Sequence, residues 1–166
     1  HGSQGFLARA LATAGEGDKL LETLLWLMPF DQSKHPTELA MTAPYAIVNC
    51  WQQIPVFRHR GMMSFLTGSV AMAMRGVYEW MMGVKPTLDG LVIDPCIPSE
   101  FEAPEVQFTY LSKNVMLKIR RGDKKILVNG ETVSTTRIDR FSGREVALIA
   151  PSLLQQEKNM IEIWVA

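Results

Sequence analysis

Thr67 and Gly68 stand where a predicted loop gives way to an apolar run of helical character. A helix start presents backbone N–H groups without intrahelical acceptors and the positive end of the macrodipole, so an anion is favoured there. A threonine hydroxyl adds a donor, and glycine admits close approach to the backbone. The same pair also suits plain helix capping, and on type and position alone both roles stay open. The three histidines, His1, His35 and His59, lack metal-ligand spacing with Cys50 and Cys96, so no metal site is expected. His59 lies in Arg58-His59-Arg60, a small basic cluster read as a solvated loop before the helix. No G-x-S-x-G, phosphate-binding loop or dinucleotide fingerprint occurs. Asp94, in Ile93-Asp94-Pro95-Cys96, reads as a turn starter. Trp51, Tyr78 and Trp80 could stack on sugar rings or equally fill a core.

These residues must be positioned by two kinds of element. Phe6, Leu7, Ala10, Leu11 and Ala14 recur at helical spacing, and Gly15 ends the run. Asp18 is a candidate N-cap for a second helix with Leu20, Leu21, Leu24, Leu25 and Met28 on its apolar side, limited by Pro29. A loop is expected from Phe30 to Thr42, then a short helix from Pro44 to Trp51. From Gly68 to Met82 only Arg75 and Glu79 are charged, an i,i+4 pair. A helix apolar on every side is surrounded by protein, so partner helices beyond this chain are expected. Gly83 suits the position after its end.

After Pro86 the period drops to two. Leu91/Ile93, Val106/Phe108/Tyr110, Val115/Leu117/Ile119, Ile126/Val128, Val146/Leu148 and Ile161/Ile163/Val165 alternate. Asp89-Gly90, Ser112-Lys113-Asn114, Arg121-Gly122-Asp123, Asn129-Gly130 and Ser142-Gly143 mark turns between them. About six short strands so spaced predict an antiparallel sandwich or jelly-roll piece.

Bulk composition fits a folded domain. The chain has 166 residues, 47% hydrophobic and 20% charged, and its mean hydropathy is +0.04. Seventeen basic residues cancel seventeen acidic ones, so no global field attracts nucleic acid or an anionic membrane. The longest uncharged apolar stretch, Gly61 to Met74, has 14 residues and reads as a buried helix, since a membrane span needs roughly 20. No signal peptide is visible, and two free thiols fit a reducing, cytoplasmic setting. The chain opens His1-Gly2-Ser3 without methionine, which fits an internal cut or a tag remnant.

The stretch Asp89-Gly90-Leu91-Val92-Ile93-Asp94-Pro95-Cys96-Ile97-Pro98 resembles a signature in the C-terminal region of glycoside hydrolase family 94, the inverting β-glucoside phosphorylases. Ser64-Phe65-Leu66-Thr67-Gly68 resembles that family's S-W-L-T-G, and Met82-Gly83-Val84-Lys85-Pro86 resembles its I-L-G-(I/V)-(R/K)-P. Gly17-Asp18 with Leu27-Met28-Pro29 resembles G-D-(R/K)-A…(I/L)-N-P. His1-Gly2 fits the family's Tyr-Thr-His motif, with a tag remnant as the alternative origin of His1.

The resemblance implies an α+β chain: the C-terminal helices of an (α/α)6 barrel over 1–85, then an antiparallel, jelly-roll-like β-sandwich over 86–166. It implies phosphate contacts at His1, Thr67 and Gly68, and at Asn49, which stands in the place of a family glutamine four residues after Tyr45. Ala43-Pro44-Tyr45 replaces the family's Glu-Pro-Tyr and Met28-Pro29-Phe30-Asp31-Gln32 its N-P-(I)-N-H, and with Asn49 these changes point away from a typical cellobiose phosphorylase and toward the oligoglucan branch. The implied activity is that of an inverting glycosyltransferase-type phosphorylase, cleaving β-glucan oligosaccharides with inorganic phosphate to give α-glucose 1-phosphate. No cofactor is implied, the partners are phosphate, a β-glucoside and the rest of the barrel, and the full-length enzyme would be a homodimer. The general acid, an aspartate, is expected upstream of this chain. Two other readings stand beside it: the phosphorylase-like domain of a cyclic β-1,2-glucan synthase, and a non-catalytic piece that packs or binds glycans.

Overall fold

In the computed structural model, residues 2–27, 41–43, 46–64 and 67–165 are described, with backbone alone at 2–3, 53, 57–59 and 67. His1, His35 and most of the loop expected from Phe30 to Thr42 lie outside the described residues. The fold is α+β, and the chain divides between Met81 and Met82 into two compact units.

The first unit begins with helices α1 (Gly2–Ala14) and α2 (Gly17–Leu27). A Schellman closure joins them: Glu16 N–H reaches the Leu11 carbonyl at 2.9 Å and Gly15 N–H the Ala12 carbonyl at 3.1 Å. The Glu16 carbonyl then accepts the first bond of α2, from Leu20 N–H at 2.9 Å. Glu16 therefore holds the cap position expected for Asp18, and Asp18 sits in the first turn, where a carboxylate complements the dipole.

A hairpin follows, β1 (Cys50–Ile54) and β2 (Phe57–Met62), pairing Cys50 with Met62 and Trp51 with Gly61. This corrects three expectations. Ala46–Trp51 is not helical, Arg58-His59-Arg60 lies on a strand rather than in a loop, and Gly61–Met62 is strand rather than the start of a buried helix. The cause is packing: a Cβ on Gly61 would overlap Thr42, Val48 and Trp51, so only glycine admits the chain past buried Val48.

Helix α3 (Thr67–Arg75) continues into a π-helical turn, Gly76–Met81. Its inner face is Ser69, Ala73, Gly76 and Trp80, all buried. Leu24 of α2 occupies the place a Cβ on Gly76 would take, and Met72 likewise fills the space beside Gly5 of α1. Those two close approaches fix α3 against both earlier helices. The opposite face is apolar and exposed at Val70 (38%), Met74 (51%) and Tyr78 (43%).

The second unit holds two sheets. β3 (Val84–Thr87), β4 (Gly90–Ile93), β10 (Glu145–Ile149) and β9 (Thr136–Ile138) form one, in that order. The other runs β5 (Glu105–Tyr110), β6 (Lys113–Arg121), β11 (Lys158–Val165), β7 (Lys125–Val128), β8 (Glu131–Thr132). Both supply one core: Leu91, Ile93 and Ile149 from the first, Leu117, Ile119 and Ile161 from the second. All six alternating runs are strands, and Asn129-Gly130 closes the β7–β8 hairpin with both φ positive, at 52° and 87°. Strands β3, β8 and β9 were not signalled, being short or half-exposed. The expectation of a wholly antiparallel arrangement needs one correction. β11 runs parallel to β6, because the chain leaves β6 through four further strands and returns between β6 and β7.

Gly83 and Gly143 separate two glycine effects. Both have positive φ, at 74° and 67°, yet a Cβ on Gly83 would strike the Asp94–Pro95 backbone while one on Gly143 meets nothing. Gly143→Ala should therefore cost about 1 kcal/mol of backbone strain, and Gly83→Ala that plus roughly 1–3 kcal/mol of overlap. Urea unfolding of the two variants measures the difference, and equal losses would refute the packing account.

Candidate functional site

The α3 start is the place where the expected phosphate residues can be examined. Thr67 is its first helical residue, so a cap role falls one residue earlier, outside the described residues, as does the Thr67 side chain. Gly68 follows, exposed, and a Cβ there would meet nothing within 4 Å. Among the described residues, nothing fills the space beside Gly68, the residue whose backbone an anion would approach.

Asn49 is brought to this helix start. Its N–H donates to the Met62 carbonyl at 3.1 Å, extending the β1–β2 ladder by one residue. Its Oδ1 accepts from Ser69 Oγ at 2.8 Å, and its Nδ2 lies 3.9 Å from Met63 Sδ. Ser69 is only 3% exposed, so this bond satisfies a hydroxyl that water cannot reach. Met63, between β2 and α3, has a φ of 55°, a left-handed conformation unusual for a non-glycine residue. The bent link and the Asn49–Ser69 bond together bind the hairpin to the first turn of α3.

Ser69 did not stand out in the sequence. The signal was faint: a small hydroxyl at the third helical position, where side-chain oxygens commonly bond nearby polar groups. His1 lies outside the described residues, and the side chains of Arg58 and His59 are not described. Arg75 is engaged elsewhere. It holds Glu79 through two bonds, 2.9 and 2.8 Å, and its guanidinium lies 5.7 Å from the Trp80 ring centroid. The Glu79 hydrogen bond, working against burial and aided by the carboxylate charge, raises the Arg75 pKa above its ordinary value. Along the helix Arg75 is about 10 Å from Gly68.

Asp94 is structural, and more so than a turn starter. Lys85 Nζ reaches Asp94 Oδ2 at 2.7 Å, and Arg144 Nη2 reaches Oδ1 at 3.2 Å. Arg121 Nη2 donates to the Ile97 and Pro98 carbonyls at 3.1 and 2.9 Å. Cys96 is buried and Cys50 half-buried, both as free thiols. Trp51 sits half-buried on β1, and Trp80 is core. Among the described residues, no three His, Cys, Asp or Glu side chains gather as metal ligands, and no helix is long and apolar enough to cross a membrane.

The chain is similar to disaccharide phosphorylases. Solabiose phosphorylase of Paenibacillus borealis is 28% identical over 129 residues, 73% of this chain and 16% of that protein. The 3-O-beta-D-glucopyranosyl-beta-D-glucuronide phosphorylase of the same organism is 27% identical over 148 residues, 84% and 19%. N,N'-diacetylchitobiose phosphorylase of Vibrio furnissii is 29% identical over 131 residues, 75% and 16%. The matched part of this chain therefore spans under a fifth of the length of these curated relatives. No family model matches the chain.

The Asn49–Ser69 bond makes an asymmetric prediction. Asn49→Ala strands the buried Ser69 hydroxyl and should cost about 1–3 kcal/mol. Ser69→Ala frees a half-buried amide that can turn to water, so its loss should be smaller. The double variant should lose less than the sum of the singles in a thermal or urea denaturation cycle; strict additivity would refute the coupling.

Proposed function

We propose that this chain is the C-terminal part of an inverting β-glycoside phosphorylase, contributing the last helices of an (α/α)6 barrel and the β-sandwich after it. The observation that carries this reading is the convergence of Asn49 on the first turn of α3, beside an open Gly68. The similarity to disaccharide phosphorylases supports it. So do the apolar residues left exposed on the helices, among them Phe6, Trp26 and Met74, which further barrel helices would cover.

In this reading the α3 start holds inorganic phosphate. Backbone N–H groups at Thr67 and Gly68 and the helix dipole stabilise the dianion, and the Thr67 hydroxyl adds a bond. Asn49, held by Ser69, keeps an amide beside the same turn. His1 joins the set on the strength of the resemblance alone. Phosphate so held attacks the anomeric carbon in line, while an aspartic acid from the preceding part of the protein protonates the departing sugar. Phosphate replaces the base-activated water of an inverting hydrolase, so one carboxyl group suffices. Inversion of a β-glycoside then yields an α-sugar 1-phosphate, and for a β-glucan substrate α-glucose 1-phosphate.

The test uses the full-length protein. Thr67→Val removes one hydrogen bond to a charged ligand, which should raise KM for phosphate about 10- to 100-fold and leave KM for the glycan nearly unchanged. Equal effects on both substrates would contradict a phosphate contact at Thr67.

A further inference from the structure

A second concavity lies in the sandwich unit, formed by residues that the phosphate reading does not use. It is a cavity of about 300 Å³ between the β5–β6 hairpin, which supplies Tyr110, Leu111 and Lys113, and the segment after β10, which supplies Pro151, Ser152 and Gln155. That volume is at the low end of roughly 300–1,000 Å³ for small-molecule sites, so it suits one ring rather than a long chain.

Two features set it apart from an accidental hollow. Among the described residues, no hydrogen bond or ion pair engages the Tyr110 hydroxyl, the Lys113 ammonium, the Ser152 hydroxyl or the Gln155 amide; Ser152 and Gln155 are exposed and the other two half-buried, so all four groups are open to water or to a ligand. The hairpin loop is also built against preference. Tyr110 pairs with Lys113, so the loop is the two residues Leu111 and Ser112, both with positive φ at 47° and 62°. Asn-Gly is the natural sequence for such a turn. Here a strained, 65% exposed leucine stands at the cavity edge instead.

We propose that this cavity binds a single pyranose ring of a neutral glycan. Tyrosine and serine hydroxyls and a carboxamide both donate and accept, matching the hydroxyls of a sugar. Leu111 and Pro151 offer apolar surface for the C–H face of the ring, and the Tyr110 ring, packed on the sandwich core, offers a rigid wall. Lys113 is the one charged group among these residues, and a lone ammonium without a cradle of backbone N–H groups is a poor phosphate site. None of its residues belongs to the α3 start, so the proposal stands or falls independently of the phosphate reading.

Titration of the isotope-labelled chain with a β-linked glucotriose, followed by amide NMR, tests it. Saturable millimolar shifts are expected at Leu111–Asn114 and Ser152–Gln156. Tyr110→Phe and Gln155→Ala should each weaken binding about 2- to 10-fold. Leu111→Asn is the decisive variant because it relieves the turn: it should raise Tm and still weaken binding. Absence of saturable shifts, shifts confined to other surfaces, equal shifts from inorganic phosphate, or undiminished binding by Leu111→Asn would each overturn the proposal.

Discussion

One part-buried hydrogen bond ties the β1–β2 hairpin to the first turn of α3: Ser69 Oγ donating to Asn49 Oδ1 at 2.8 Å. Without it a hydroxyl on the inner face of α3 would be left dry and unpaired, and the β1–β2 hairpin would lose a side-chain tie to the helix. The close approaches Gly76–Leu24 and Gly5–Met72 set where α3 lies against α1 and α2. The Asn49 bond then sets what stands beside its first turn. Helix position and helix surroundings are thus fixed by different residues. A substitution such as Gly76→Val would move the helix, whereas one at Asn49 would alter only its mouth.

The segment with the most specific resemblance does architectural work. Asp94 gathers Lys85 from β3 and Arg144 from the turn before β10, while Arg121 at the end of β6 caps the carbonyls of Ile97 and Pro98. These contacts lace the first sheet together and tie its exit to the second. Other carboxylates do similar local duty. Burial pushes the Asp139 carboxyl up, but the backbone N–H groups of Ser142 and Phe141, the Lys85 charge and the Ser142 hydroxyl together outweigh this and leave its pKa below the usual carboxylate range. The Thr136 hydroxyl and Lys124 lower that of Glu145. A strong motif here marks a demanding junction, not a reacting group.

Legibility followed the range of the forces. Helix α2 and strands β5, β6, β7 and β11 were readable because one more-buried face repeats at a fixed period in local sequence, whereas α1 has the expected helical spacing but buries Gly5, Ala8 and Ala12 and leaves Phe6 and Leu7 exposed. The β1–β2 hairpin was not readable: Pro44 and a broad apolar pattern imitate a helix start, and the deciding contact, Val48 on Gly61, joins residues 13 positions apart. The parallel β6–β11 pair was likewise invisible, since its register is set between residues 44 positions apart, Asn114 and Lys158. At the helix start, chemistry alone offered Thr67-Gly68 as a cap or an anion site, and only the resemblance favoured the anion. That Asn49 would meet Ser69 could not, because the meeting depends on the hairpin.

The central claim is that the open space at Gly68 belongs to phosphate. Gly68→Ala examines it directly, because a Cβ there touches none of the described residues and alanine favours the helix by up to about 1 kcal/mol. In the full-length protein, Tm should hold or rise while KM for phosphate increases at least tenfold, about 1.4 kcal/mol, with KM for the glycan little changed. Unchanged phosphate kinetics at full stability would contradict the account.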